Sequence, residues 1–334
     1  MKAIVMTEAG SPDVLRKVAM PEPEITEAHQ VKIKIHAAGV NPIDTKIRAR
    51  GLFYPDALPA VLGCDGAGVI VEKGNAVDRF KVGDEVWYCH GGLGREQGNY
   101  AEFTVIDQLL LSHKPVSISF VQAAAAPLVA ITAWEALFDR ARLQTGQTVL
   151  IHAGAGGVGH VAIQLAKHAG AKVFTTISDE AKAGFVEELG ADVVINYTRE
   201  DVAEVLMHHT DGQGVDVVFD TVGPSVFQSS FALTAHYGHL VTLLDPGKDI
   251  TMKVARDRNL NLGFELMLTP MLNDQLKSAR QHQINILDQC RTRVEEGKLH
   301  FKIGCEYSLA DAAKAHRAIE AGHSVGKHVL NLQM

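Results

Sequence analysis

Cysteine is scarce in this sequence. Cys64, Cys89, Cys290 and Cys305 are the only four in 334 residues, and none forms a C-x-x-C pair. So few thiols in so long a chain exclude a disulfide framework and fit a reducing compartment. Long apolar runs are absent too. The most apolar window, Val121–Phe138, is interrupted by Pro127, Trp134 and Glu135 and reads as a buried helix, because a spanning helix needs ~20 consecutive apolar residues. A membrane partner is therefore not expected. No basic tract occurs and the net charge is −7, which argues against nucleic acid or an anionic lipid surface as partner. The opening MKAIVMTEAG is too short in its apolar part, and too soon broken by Glu8, to read as a signal peptide. The default placement is cytoplasmic. Internal repeats are absent, and Ala123–Ala126 is the one biased stretch.

What is present is ordinary globular composition, 46% apolar and 21% charged, over a length that suits two domains. Up to about residue 120 the texture is β-rich. VKIKIHAA (31–38) alternates with period two, and GAGVIVE (66–72), DEVWYC (84–89) and YAEFTVI (100–106) follow at short intervals. That spacing predicts a barrel-like antiparallel fold. From 122 to 262 the rhythm changes. Apolar strands at 148–153, 172–177, 192–197, 215–220 and 238–244 alternate with helices at 157–169, 180–188, 199–209 and 225–235. This is the pattern of a doubly wound parallel α/β sheet. From 263 a long helix (273–296), a second helix starting near Ser308 and a strand (326–332) are too little for a separate core. The expected division is 1–121 with 263–334, and 122–262.

The sharpest motif is Gly154-Ala155-Gly156-Gly157-Val158-Gly159, a G-x-G-x-x-G between a strand and a helix. Early glycines allow a tight turn and close approach of backbone to a pyrophosphate, and the helix N-terminus offers it free N–H groups. A dinucleotide is therefore expected. At the end of the second strand, where a ribose-binding acid belongs, stands Ser178, with Lys182 one turn later. A hydroxyl and an ammonium suit a 2′-phosphate, so the reading favours NADPH, with Asp179 as the residue that would favour NAD.

Together with Gly39–Asp44, Gly63–Val69, Lys81–Val86, Ile131–Trp134 and Ile195–Tyr197, these motifs resemble the medium-chain dehydrogenase/reductase superfamily, in its zinc-free quinone oxidoreductase (zeta-crystallin-like) branch. The resemblance covers nearly the whole chain. It implies a Rossmann domain beside a β-rich GroES-like catalytic domain, a quinone or related conjugated carbonyl as substrate, and a homodimer. It places Thr132 beside the nicotinamide, Lys182 and Tyr197 at the adenosine phosphate, and Leu243 and Leu244 where backbone meets cofactor. It also suggests Lys327, or His323, as a basic residue reaching that phosphate. At the positions of the zinc enzymes' catalytic ligands this chain has Asn41, Cys64 and Leu128, so no zinc is expected. Cys64, Asp65, Cys89 and His90 form the alternative donor set.

Without a metal, hydrogen-bond donors or water must stabilise the oxyanion formed as hydride arrives. Asn41 is the first candidate to contact substrate or nicotinamide ribose, its alternative being a cap of the following helix. Tyr54 is a candidate proton donor or aromatic wall, against a packed loop tyrosine. Lys46 is weighed as a donor and read as exposed. The alternatives to quinone reduction are C=C reduction of an alkenal or enoyl thioester, and non-enzymatic NADPH binding.

Overall fold

The computed structural model describes residues 1–334 apart from His323, with the side chain of Pro55 also left out. The chain divides into two compact units, Met1–Leu128 with Leu268–Met334, and Val129–Met267.

In the first unit β1 (Lys2–Met6) pairs with β2 (Leu15–Ala19). The sequence reading had no strand at β1, whose side chains after Lys2 are all buried. β3 (Gln30–Val40) leads into helix α1 (Pro42–Arg50), and β4 (Ala60–Val61) pairs with β1. β5 (Asp65–Lys73), β6 (Glu85–Cys89), β7 (Phe103–Asp107) and β8 (Ser112–His113) follow. Alternation along β3 buries Val31, Ile33 and Ile35, and the first two pack with Ile70, Val86 and Tyr88.

The apolar window 121–138 is not one helix. It breaks into α2 (Phe120–Ala124), α3 (Pro127–Trp134) and a π-helical turn over Glu135–Arg140. Pro127 cannot continue a helix, having no N–H to give, but is well suited to start one.

The second unit holds β9 (Thr148–Ile151), α4 (Gly159–His168), β10 (Lys172–Ile177), α5 (Ala183–Glu188), β11 (Val193–Asn196) and α6 (Val202–His209). It continues with β12 (Val215–Asp220), α7 (Pro224–Leu233), β13 (Thr234–Thr242), α8 (Lys253–Asp257) and β14 (Asn261–Phe264). Among the described residues the six strands pair in parallel in the order β11-β10-β9-β12-β13-β14. Leu150, Phe174, Val218 and Leu240 form one buried face against Leu206, Phe227 and Phe231. The expected strand 238–244 is corrected: β13 starts at Thr234, ends at Thr242, and is interior, with β14 as the edge. Leu243 and Leu244 lie beyond the strand.

The chain then returns to the first unit with α9 (Lys277–Glu295), β15 (Ile303–Ser308), α10 (Ala312–Ala321) and β16 (Lys327–Asn331). The order here is β15-β16-β3-β5-β6-β8, with β7 also on β3. This sheet is mixed rather than antiparallel, because β15 and β16 run parallel, joined by α10. No helix among the described residues is long and apolar enough to cross a membrane.

Candidate cofactor loop and buried polar site

The loop after β9 turns tightly at Ala153, which adopts a left-handed backbone at φ 53°. Gly154 N–H donates to Thr176 O at 3.0 Å, and Ala153 N–H to Thr176 Oγ1 at 3.0 Å. A Cβ on Gly154 would lie 2.0 Å from Thr175 Oγ1, and one on Gly159 2.3 Å from Ala153 O. These glycines are therefore required by close packing of loop, strand and helix. α4 begins immediately after, with Val158 at its N-cap offering no side-chain acceptor. Gly154, Gly156, Gly157, Val158 and Gly159 thus make a bare backbone cradle at a helix N-terminus, which fits the phosphates of a dinucleotide.

At the end of β10, Lys182 Nζ donates to Ser178 Oγ at 2.9 Å. Asp179, the residue that would favour NAD, is exposed and its Oδ1 caps the following turn by accepting Ala181 N–H at 3.1 Å. Tyr197 stands at the neighbouring strand end, 52% exposed, its N–H on Ile177 O at 3.1 Å. The structure therefore brings Ser178, Lys182 and Tyr197 together at adjacent strand ends. Leu243 N–H is taken by Asp220 O at 3.1 Å and Leu244 N–H by Thr242 Oγ1 at 3.3 Å. Thr132 is buried on α3. His152 packs between Thr176 Oγ1 (3.3 Å) and Ser230 Oγ (3.1 Å). Burial pushes its pKa down to about 4.

In the first unit, strand register assembles a buried polar site. Gly39 of β3 faces Asp65 of β5, and Val40 faces His328 of β16. Asn41, Asp65 and Lys327 therefore meet at one end of three adjacent strands. Asn41 Nδ2 donates to Asp65 Oδ2 at 2.9 Å, and Lys327 Nζ donates to Asn41 Oδ1 and, at 3.3 Å, to Val40 O. Leu128 N–H donates to Asp65 Oδ1 at 2.8 Å. The expectation that Lys327 reaches a phosphate is corrected: its ammonium, 3% exposed, is held within this cluster, 4.0 Å from Asp65. Burial pushes Lys327 down and Asp65 up from their ordinary ranges, and each charge counters the shift of the other. His323, its alternative, lies outside the described residues.

Asn41 is also the cap of α1, though through its backbone: its N–H donates to Asp44 Oδ2 at 2.8 Å, leaving the side chain to Asp65 and Lys327. Sequence reasoning passed over Asp44, which is fully buried and accepts Tyr100 OH at 3.1 Å. Tyr100 OH lies 3.2 Å from His316 Nε2. Burial lifts Asp44 to about 7 and lowers His316 to about 3. The sequence signals for Asp44 were its place in the Gly39–Asp44 motif and three residues after an N-cap Asn, a capping-box spacing. Tyr54 stands apart from this cluster. Its hydroxyl donates to Leu272 O at 3.4 Å and its ring lies 4.2 Å beneath the Arg95 guanidinium. Lys46 is half-buried rather than exposed.

The alternative donor set is engaged within the protein: Asp65 holds Asn41 and Leu128, and the rest have partners of their own. Cys64 Sγ faces Asp44 Oδ1 at 3.8 Å, and burial pushes both the Cys64 and Cys89 thiols well up. His90 Nδ1 is 3.3 Å from the Arg280 guanidinium. Among the described residues no three His, Cys, Asp or Glu side chains stand together as a ligand group.

Comparison with known proteins gives a consistent result. The family description "Alcohol dehydrogenase GroES-like domain" matches residues 27–116, and "Zinc-binding dehydrogenase" matches residues 189–330. The chain is 34% identical to a quinone oxidoreductase of Pseudomonas aeruginosa, covering 98% of this chain and 99% of that protein. It is 32% identical to a 2-haloacrylate reductase of Burkholderia, with 98% of each covered. The crystal structure of Escherichia coli quinone oxidoreductase complexed with NADPH superposes with a TM-score of 0.86 at 29% identity, over 99% of this chain and 100% of that one.

Proposed function

Because this chain belongs to the quinone oxidoreductase family of the medium-chain dehydrogenases/reductases, and is an oxidoreductase of that type working with a nicotinamide cofactor, we propose that it transfers hydride from NADPH to a quinone or related conjugated carbonyl, without zinc. The observation that carries the cofactor choice is the Lys182–Ser178 contact at the end of β10, with Asp179 committed to its own turn. A hydroxyl and an ammonium attract a 2′-phosphate, whereas a carboxylate repels it.

In this reading the Gly154–Gly159 loop and the N-terminus of α4 hold the pyrophosphate, and Ser178, Lys182 and Tyr197 hold the adenosine phosphate. Thr132, with backbone at Leu243 and Leu244, lines the nicotinamide end. A bound nicotinamide supplies the hydride, and the chain supplies orientation and a polar surface for the developing oxyanion. Asn41, the first candidate for the substrate, is instead fully buried between Asp65 and Lys327 and shapes the wall behind the site. Tyr54, packed under Arg95, forms an aromatic wall. Conjugation spreads the charge that the hydride brings, so a quinone or enone asks less of hydrogen-bond donors than a simple ketone does. One proton from solvent completes each two-electron reduction.

The Val129–Met267 unit is the dinucleotide-binding domain in this proposal, and the Met1–Leu128 with Leu268–Met334 unit the catalytic one. The β14 edge, with Phe264 59% and Leu266 50% exposed, is the surface for homodimer formation, tested by light scattering of the wild type and Phe264→Asp. Placement in the cytoplasm is tested by fractionation.

The 2-haloacrylate reductase likeness favours a second reading, reduction of an activated C=C bond. Steady-state oxidation of NADPH, with NADH in parallel, against benzoquinones, naphthoquinones, enones, alkenals and simple alcohols separates the two. The expected outcome is turnover with quinones and a preference for NADPH. Tight NADPH binding without turnover of any acceptor would sink both enzymatic readings.

A further inference from the structure

Beside Ser178 and Lys182 stand two further charges, Glu180 and Arg199. Glu180 opens the turn Glu180–Lys182 after β10, and Arg199 follows two residues after Tyr197, past the end of β11. Parallel register sets Ile177 opposite Asn196, so both charges lie at the same end of these two strands. Both are open to solvent, Glu180 at 62% and Arg199 at 71% exposed.

Asn196 builds the arrangement. Its side chain is buried, and Oδ1 accepts Thr198 N–H at 3.2 Å and Thr198 Oγ1 at 2.7 Å. Its backbone oxygen takes the N–H groups of Arg199 and Glu200, each at 2.9 Å, while Glu200 Oε2 takes its own N–H at 2.9 Å. These bonds fix the turn that carries Arg199. The other end of the same amide, Nδ2, donates to Glu180 Oε2 at 3.2 Å. That oxygen also lies 4.0 Å from the Arg199 guanidinium. One buried amide thus sets a carboxylate beside an arginine.

An ion pair this long, with both partners largely in water, is a weak one. A phosphate monoester carries close to two negative charges and three acceptor oxygens, and a guanidinium meets it through two parallel N–H groups. It outcompetes a single carboxylate for Arg199. A ligand without that phosphate leaves Arg199 to Glu180.

We propose that Arg199 is a specificity-determining residue for the 2′-phosphate of the cofactor, and that Glu180 is the resident counter-ion the phosphate displaces. This rests on the reading above that the chain uses NADPH. Ser178 and Lys182 receive the phosphate from the end of β10, and Arg199 receives it from the turn after β11. Backbone bonds already hold that turn, so Glu180 is not needed to place Arg199. Its net effect is to compete for the guanidinium and to repel the incoming charge.

The test is calorimetric titration of the cofactor-free protein with adenosine 2′,5′-bisphosphate, which carries the 2′-phosphate, and with 5′-AMP, which lacks it. The wild type is expected to bind the bisphosphate more tightly. Arg199→Ala should weaken the bisphosphate about threefold to tenfold, with 5′-AMP changed by less than about twofold. Glu180→Gln should tighten the bisphosphate about twofold to fivefold. Arg199→Lys, which keeps the charge but not the fork, should fall between wild type and Arg199→Ala. Added salt should narrow all these differences. A merely structural Arg199 would weaken both ligands alike and lower the melting temperature. Wild-type affinity for the bisphosphate in Arg199→Ala overturns the role of Arg199, and unchanged or weaker affinity in Glu180→Gln overturns that of Glu180. If the wild type binds 5′-AMP as tightly as the bisphosphate, the NADPH reading fails and this proposal with it. If the wild type prefers the bisphosphate, and Lys182→Ala loses that preference while Arg199→Ala keeps it in full, this proposal alone fails.

Discussion

Lys182 Nζ and Ser178 Oγ lie 2.9 Å apart across one turn, so that a cation and a hydroxyl share one spot at the end of β10. A charge-assisted contact to phosphate is worth about 1.5–3 kcal/mol. Lys182→Ala is therefore expected to raise KM for NADPH by roughly ten- to a hundredfold, leaving KM for NADH within about twofold. Ser178→Asp should go further and reverse the preference. Steady-state kinetics with both cofactors checks this, and equal losses with both would remove Lys182 from the phosphate site.

The glycine loop makes a steric prediction. At Gly154 a methyl group would stand 2.0 Å from Thr175 Oγ1. Gly154→Ala should cost about 1–3 kcal/mol by overpacking and weaken NADPH binding, measurable by fluorescence titration. Thr175→Ala should relieve part of that loss in the double variant.

Thermal stability should peak near pH 6.5. His90, His152 and His316 are buried and held down at about 3, about 4 and about 3 by desolvation. Below their ordinary range of about 6.5 the unfolded chain takes up protons that the folded chain refuses, so acid removes up to about 1.4 kcal/mol per pH unit for each. Asp44 and Glu265 behave oppositely. Burial lifts Asp44 to about 7; burial, with Glu135 beside it, lifts Glu265 to about 9. Their contribution is complete at low pH and is lost as pH rises through these values. A melting-temperature profile from pH 4 to 9 tests this, and Glu265→Gln should flatten the slope between 7 and 9. A profile rising steadily to pH 9 would contradict it.

Tyr100 bridges Asp44 and His316 at 3.1 and 3.2 Å. Tyr100→Phe takes one donor from Asp44 and leaves the buried His316 Nε2 without its partner, and should cost about 1–3 kcal/mol. The dissociation constant for NADPH should not move.

Much of the second unit was legible because apolar strands and helices alternate along it, and because the Gly loop sits between β9 and α4. Less was visible where long-range pairing decides. β14 is four residues long, and only its partner β13 makes it a strand, so the sequence pattern did not show it. Lys327 read as a basic residue available to a phosphate, since nothing near it in sequence reveals that β16 lies beside β3 and delivers its ammonium to Asn41. The Glu135–Glu265 coupling was equally hidden, its partners lying on a π-helical turn and just past an edge strand. Asn41 was legible as a site residue, but the opposed charges around it were not.

The last strand, β16, completes a sheet that β3 begins at Gln30, about three hundred residues earlier in synthesis. During synthesis the segment of β3 from Ala37 to Val40 waits unpaired on that side until residues 328–331 emerge, while the Val129–Met267 unit is contiguous and finishes earlier. An exposed strand edge invites wrong partners, so this side of β3 is open to mispairing until β16 arrives. A chain stopped just before Lys327 keeps the whole of the second unit, yet loses both the seal on β3 and the ammonium that orients Asn41.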